Sequence, residues 1–222
     1  TVRVGGSPAG MDFIPDDRFP TLPAFLADIP ESDIRTRRTL TFSGLTNING
    51  HPFREHEISA TMQLNTAEEW KIENTSGFGA HPFHIHINPF QVVELFEPNS
   101  PDATTPGNPC YVDKNDPSTW KPCPSRQPRA PFSWWDTFAI PTGQEHKLDC
   151  MKKEQCPPAL QPYTVCDNTG CYEQIPGWFK MRSRFVDYTG DFVLHCHILL
   201  HEDRGMMQLV RVSTDTTSLG HH

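Results

Sequence analysis

Within twelve residues, from His195 to Met206, the chain places His195, Cys196, His197, His201 and Met206. Soft sulfur with imidazole favours copper over magnesium, calcium or manganese. Three strong ligands with a weak axial thioether form the donor set of a blue-copper electron-transfer site. The spacing adds to this. Successive side chains of a strand point to opposite faces, so Cys196 faces one side while His195 and His197 share the other. Metals held by the two histidines are then wired through a few covalent bonds to one held by the cysteine.

A second motif, His81-Pro82-Phe83-His84-Ile85-His86, puts His84 and His86 on one strand face with His81 just ahead. His81, Cys196, His201 and Met206 complete a mononuclear set, and two same-face pairs, His84/His86 and His195/His197, are left for a multinuclear centre. Zinc also takes His and Cys, but a structural zinc site has no use for same-face pairs on both strands. A buried methionine is often plain core, and Glu202-Asp203 also reads as a solvated acidic turn.

These motifs resemble the multicopper oxidases, the laccase, ferroxidase and bilirubin-oxidase group, and in particular their C-terminal cupredoxin domain. The resemblance runs from about Leu40 to Val212. It includes ING at 48–50, EEWKIENTSG at 68–77, HPFHIHINPFQVV at 81–93, WWDTFAIP at 134–141 and the HCH run. It implies a type 1 copper on His81, Cys196 and His201 with Met206 axial. It implies a type 2 copper on His84 and a type 3 pair using His86, His195 and His197. Glu202 looks like the carboxylate that relays protons to the oxygen site in some bacterial members, and Met206 as axial ligand implies a moderate potential.

A trinuclear cluster of that family takes eight histidines, and the two HxH pairs here supply four. His51, His56 and His146 form no such pair, and His221 and His222 close the chain in what reads as a tag remnant. The expectation is therefore a type 1 site and half a cluster, completed by an N-terminal cupredoxin half that is either removed or on another chain. The activity implied is oxidation of a small reducing substrate with dioxygen as acceptor. Phenols and aromatic amines lead ferrous or manganous ions, and no methionine-rich segment marks a cuprous oxidase. The alternatives are a single-domain electron carrier without oxygen reduction, and a copper store. A carrier needs only the four type 1 ligands, which leaves the HxH pairs unexplained.

The elements that must position these residues read as all-β. Residues 39–43 alternate, Ile58, Ala60, Met62 and Leu64 share a face, and Trp70 with Ile72 do the same. Further strands are expected over 90–96, at Phe138 and Ile140, over 178–186, at Phe192, Leu194 and Cys196, and over 206–212. Many short strands with Gly, Pro and Asn turns define an antiparallel Greek-key β-sandwich or barrel, here of cupredoxin type. Residues 1–38 lack a sustained period and read as an arm or interdomain connector packing through Phe19, Leu22, Phe25 and Leu26. The domain is expected over 39–213, with a tail at 214–222. Two insertions, the proline-rich 97–131 and the cysteine-rich 148–176, read as long loops that cover a sheet edge or shape access to substrate.

Composition sets the outer bounds. With 19 Lys and Arg against 27 Asp and Glu the net charge is −8, which argues against nucleic acid or an anionic membrane surface as partner. No apolar run is long enough for a transmembrane helix, and the start at Thr1-Val2-Arg3 reads as mid-protein or mature. Seven cysteines are present. With Cys196 as ligand, Cys110, Cys123, Cys150, Cys156, Cys166 and Cys171 remain for three disulfides of open connectivity, which places the protein in a secreted or periplasmic setting.

Overall fold

The computed structural model describes residues 23–77, 79–98, 125–156, 158, 161 and 164–215. Phe19, Leu22, Cys110, Cys123, the tail from residue 216 and most of the first insertion lie outside the described residues. In chain order the strands begin with β1 (Ile34–Ser43), β2 (Asn47–Ile48), β3 (Ile58–Gln63), β4 (Thr66–Asn74), β5 (His81–Ile85) and β6 (Phe90–Phe96). They continue with β7 (Trp134–Trp135), β8 (Thr137–Ile140), β9 (Gln144–Leu148), β10 (Thr164–Asp167) and β11 (Gly170–Ile175). β12 (Gly177–Phe185), β13 (Gly190–Cys196), one short helix α1 (Leu199–Asp203) and β14 (Met207–Ser213) complete the chain.

Two sheets form the sandwich, β2-β1-β4-β12-β6-β7 and β3-β14-β13-β5-β8. The fold is the cupredoxin-type β-sandwich expected from the alternation, and the period-2 pattern is direct in β12, where buried and half-buried residues alternate along the whole strand. The sandwich is not wholly antiparallel. β1 pairs parallel with β4 and β14 parallel with β3. The chain leaves the first sheet after the β1–β2 hairpin, lays β3 in the second, and returns as β4 running in the direction of β1.

Between the sheets, Phe42, Trp70, Phe83, Phe90, Phe179 and Phe185 are fully buried. Phe83 meets Phe90 and Phe179 edge-on at 5.5 and 6.0 Å between ring centroids. Each such side chain contributes roughly 1.5–3 kcal/mol by leaving water. Because Phe83 lies between His81 and His84 on β5, this aromatic stack holds the motif strand in place. Glu68 is buried on the same inner face. It accepts hydrogen bonds from Trp70 Nε1 at 2.7 Å and from Arg38 Nε at 2.7 Å.

Two expectations need correction. β1 starts at Ile34, inside the stretch expected as connector, and the arm before it is anchored by buried Ile29 rather than by Phe25, which is 66% exposed. Backbone pairing explains the anchor: Ile29 N donates to Gln91 Oε1, Trp134 Nε1 donates to Leu26 O, and Arg184 donates to the carbonyls of Ala27 and Asp28. The second insertion is not an open loop. Its β10 and β11 join β9, which leads into it, in a small antiparallel sheet, and it is stapled by Cys150–Cys156 and Cys166–Cys171.

Candidate metal centre

β5 and β13 pair in antiparallel register, with Phe83 opposite Cys196 and His84 opposite His195. The pairing brings both motifs to one end of the second sheet. Cys196 closes β13 with its side chain in the core, fully buried, and His81 opens β5 with 2% exposure. The chain then turns through α1, which carries His201, and through Gly205 at φ 97°. A side chain at Gly205 would press on Pro52 and Phe53, within 3.1–3.2 Å of its Cβ. That turn returns the chain so that Met206, fully buried, donates its N–H to His201 O at 2.9 Å and accepts from Cys196 N at 3.0 Å.

The donor atoms of the first set converge. Cys196 Sγ lies 3.5 Å from His81 Nδ1 and 3.6 Å from His201 Nδ1, and the two Nδ1 atoms are 3.3 Å apart. A point equidistant from three atoms so spaced is about 2.0 Å from each, the length of an imidazole–metal bond. Burial, and the neighbouring His201, hold His81 down to about 4, so its imidazole is neutral and offers a lone pair. Burial also lowers His201 and pushes the Cys196 thiol up. Burial disfavours the Cys196 thiolate, so its ionised form facing two imidazole lone pairs calls for a cation at their shared centre. The set fits a thiophilic metal ion such as copper.

The second set lies on the opposite side of the same strand end. The donor atoms of His84, His86 and His195 lie within 4.8 Å of one another, and His197 joins them with its ring centroid 5.4 Å from His84 and 5.6 Å from His195. Second contacts fix which nitrogen faces inward. His84 Nδ1 donates to Asp136 O at 2.8 Å, with Thr137 Oγ1 at 2.9 Å. His195 Nδ1 lies 3.1 Å from Cys196 O and 3.3 Å from Glu202 Oε2. Both rings therefore present Nε2, and His195 Nε2 sits 3.3 Å from His86 Nε2. His86 is lowered by burial and by the histidines around it.

All eight ligand residues picked out in the sequence gather at this end of the sandwich. His51 and His56 do not join them; they lie near Glu57 and Glu55. Three supporting groups lie inside stretches that carry the resemblance, but nothing in the sequence marks their role. Asp136 acts through its carbonyl, Thr137 through a hydroxyl one strand away, and Asn74 braces the loop ahead of His81. Asn74 Nδ2 donates to Gly79 O at 2.8 Å and its Oδ1 accepts from Ser76 N at 2.8 Å. Asp136 and Thr137 escape spacing because they act across separate strands, and Asn74 because it braces the turn that follows it.

The chain belongs to the multicopper oxidase family, whose pattern it matches over residues 26–155 and 172–216. The unmatched stretch between them covers β10 and the start of the stapled hairpin. The chain is similar to a laccase of Haloferax volcanii, 26% identical over 82% of this chain and 22% of the relative. It is similar to a laccase of Bacillus subtilis, 26% identical over 84% of this chain and 30% of the relative. Among solved structures it resembles a multicopper oxidase from Campylobacter jejuni described as a metallo-oxidase. That structure is 17% identical, with a TM-score of 0.50, covering 82% of this chain and 31% of the other. The chain thus spans less than a third of the length of these relatives.

Proposed function

We propose that the protein is the electron-accepting part of a laccase-like oxidase, with a type 1 copper held by His81, Cys196 and His201 and Met206 as its axial ligand. The observation that carries this is the triangle of Nδ1, Nδ1 and Sγ atoms around one point. His84, His86, His195 and His197 supply half of a trinuclear cluster, type 2 at His84 and type 3 at the others. An N-terminal cupredoxin half of the same oxidase, on another chain or elsewhere in a longer one, supplies the rest. Copper held there would supply one-electron acceptance from a reducing substrate and, at the completed cluster, four-electron reduction of dioxygen to two waters.

The residues of this chain do the rest. His81 is buried and His201 is partly exposed, so a substrate meets the site at the His201 edge. The peptide bonds of Cys196 join it directly to His195 and His197, which gives the two ligand sets a through-bond link. Glu202 holds a proton at His195 Nδ1 and is the one carboxylate of the described residues placed to relay protons there. His86 and His197 are exposed, as are Ile87, Leu199 and Leu200 beside them. Exposed apolar groups beside these exposed histidines support a docked partner domain. The two disulfides support a secreted or periplasmic location. Among the described residues no helix is long and apolar enough to cross a membrane.

An electron paramagnetic resonance spectrum of the copper-loaded protein tests the reading. A type 1 signal of small hyperfine splitting together with a type 2 signal is the expected result for the oxidase. A type 1 signal alone in the full-length protein favours the electron carrier, and no type 1 signal overturns the assignment of Cys196.

A further inference from the structure

The charge around His201 is lopsided. α1 carries His201, Glu202 and Asp203, and Arg204 caps it with near-helical φ −88° and ψ 1°. At about 100° per residue, Arg204 returns to the His201 side of the helix, Asp203 points to the opposite side, and Glu202 stands between them. Glu202 is turned inward, within 3.3 Å of His195 Nδ1. The neighbouring loop, held to this turn by the Phe53 N–H to Gly205 O bond, pairs Arg54 with Glu57 and carries the exposed Glu55 beside His56. Arg204 is exposed and forms no ion pair among the described residues. One guanidinium with no ion-pair partner among the described residues therefore stands a helical turn from the partly exposed imidazole.

We propose that Arg204 sets the charge preference of the electron-accepting face at His201, favouring anionic reductants, phenolates among them, over divalent metal cations. The proposal rests on His201 being the exposed ligand of a type 1 copper. The field of Arg204 also helps to lower His201, consistent with a positive potential at the ring. The preference is local: it opposes the net charge of −8 over the whole chain, which on its own repels anions.

The test uses copper-loaded full-length protein and stopped-flow bleaching of its blue thiolate–copper band. The reductants are ferrocyanide and hexaammineruthenium(II). Each gives up one electron and keeps its ligands, so no bond forms or breaks. At low ionic strength, Arg204→Glu is expected to lower the ratio of the ferrocyanide rate to the ruthenium rate by roughly tenfold or more. The effect shrinks as salt screens it, and Arg204→Lys keeps the wild-type ratio. A change in copper potential alone moves both rates in the same direction and leaves the ratio fixed. An unchanged ratio with the blue band intact overturns the role of Arg204. A wild-type protein without the band overturns the copper reading itself, and this proposal with it.

Discussion

Glu202 Oε2 lies 3.3 Å from His195 Nδ1, although the two residues are separated by the turn that carries His201. The contact joins a half-exposed carboxylate to a buried histidine whose other nitrogen faces His86. It fixes the His195 tautomer and, in the proposed oxidase, would give the cluster side a group able to take and give protons. Glu202→Gln keeps the hydrogen-bonding shape and removes the proton-carrying function. The expected outcome is an intact blue band, unchanged reduction by ferrocyanide, and oxygen consumption slowed by about 10²-fold. Oxygen-electrode rates beside stopped-flow reduction check this; equal rates of oxygen uptake in variant and wild type sink it.

In the proposed type 1 site, Cys196 is the ligand with no substitute. It is fully buried, and Ser fits the same space, so Cys196→Ser is expected to fold. It lacks the soft sulfur that gives the site its colour and its copper preference. Optical spectra should lose the blue band and steady-state oxidation should fall to background. Retention of either shows that the thiolate is not the ligand.

Much of this was legible because two physical patterns were strong. Alternation exposed β3, β12 and β14, and HxH spacing on extended chain put His84 with His86 and His195 with His197. What stayed hidden depends on long-range pairing. The β10–β11 hairpin inverts the usual pattern, with Thr164 and Glu173 buried and Val165 51% exposed, so its residues carry no apolar alternation and read as loop. The start of β1 at Ile34 was hidden because Arg35, Arg37 and Arg38 break any hydrophobic period. Arg38 is tolerated only because Glu68 lies on the neighbouring strand. Nor does the sequence distinguish His81 from His201 in burial; that follows from Phe42, whose ring centroid packs 6.2 Å from that of His81.

The Arg38–Glu68 pair yields an asymmetric stability prediction. Glu68 has 2% side-chain exposure and Arg38 has 23%, and Arg38 also donates to Thr61 O at 2.7 Å. Arg38→Met strands a buried carboxylate with only the Trp70 N–H for company, an expected loss of about 3–5 kcal/mol. Glu68→Gln leaves a guanidinium that still reaches Thr61 O and solvent, an expected loss of about 1–3 kcal/mol. Arg38→Met with Glu68→Leu should recover most of the larger loss. Urea unfolding of the three variants checks the order; equal losses in both single variants contradict it.

Glu173 gives a pH dependence of the opposite kind from most carboxylates. It lies on β11 between Thr164 of β10 and His146 of β9 in register. It is 8% exposed, and its Oε1 has no hydrogen-bond partner among the described residues. Burial pushes its carboxyl above the usual range. A raised folded value means the neutral form is preferred in the fold. Its stabilising contribution is therefore complete below the unfolded pKa of about 4.3 and is lost as the pH rises through the folded value. Glu173→Gln removes that loss while keeping the shape. Thermal unfolding should find the variant more stable than wild type at pH 7, by about 1 kcal/mol on the scale of one unsatisfied buried group, and indistinguishable from it at pH 4. A difference of the same size at both pH values shows that the carboxyl is not ionising in the fold, and that its environment is set by packing alone.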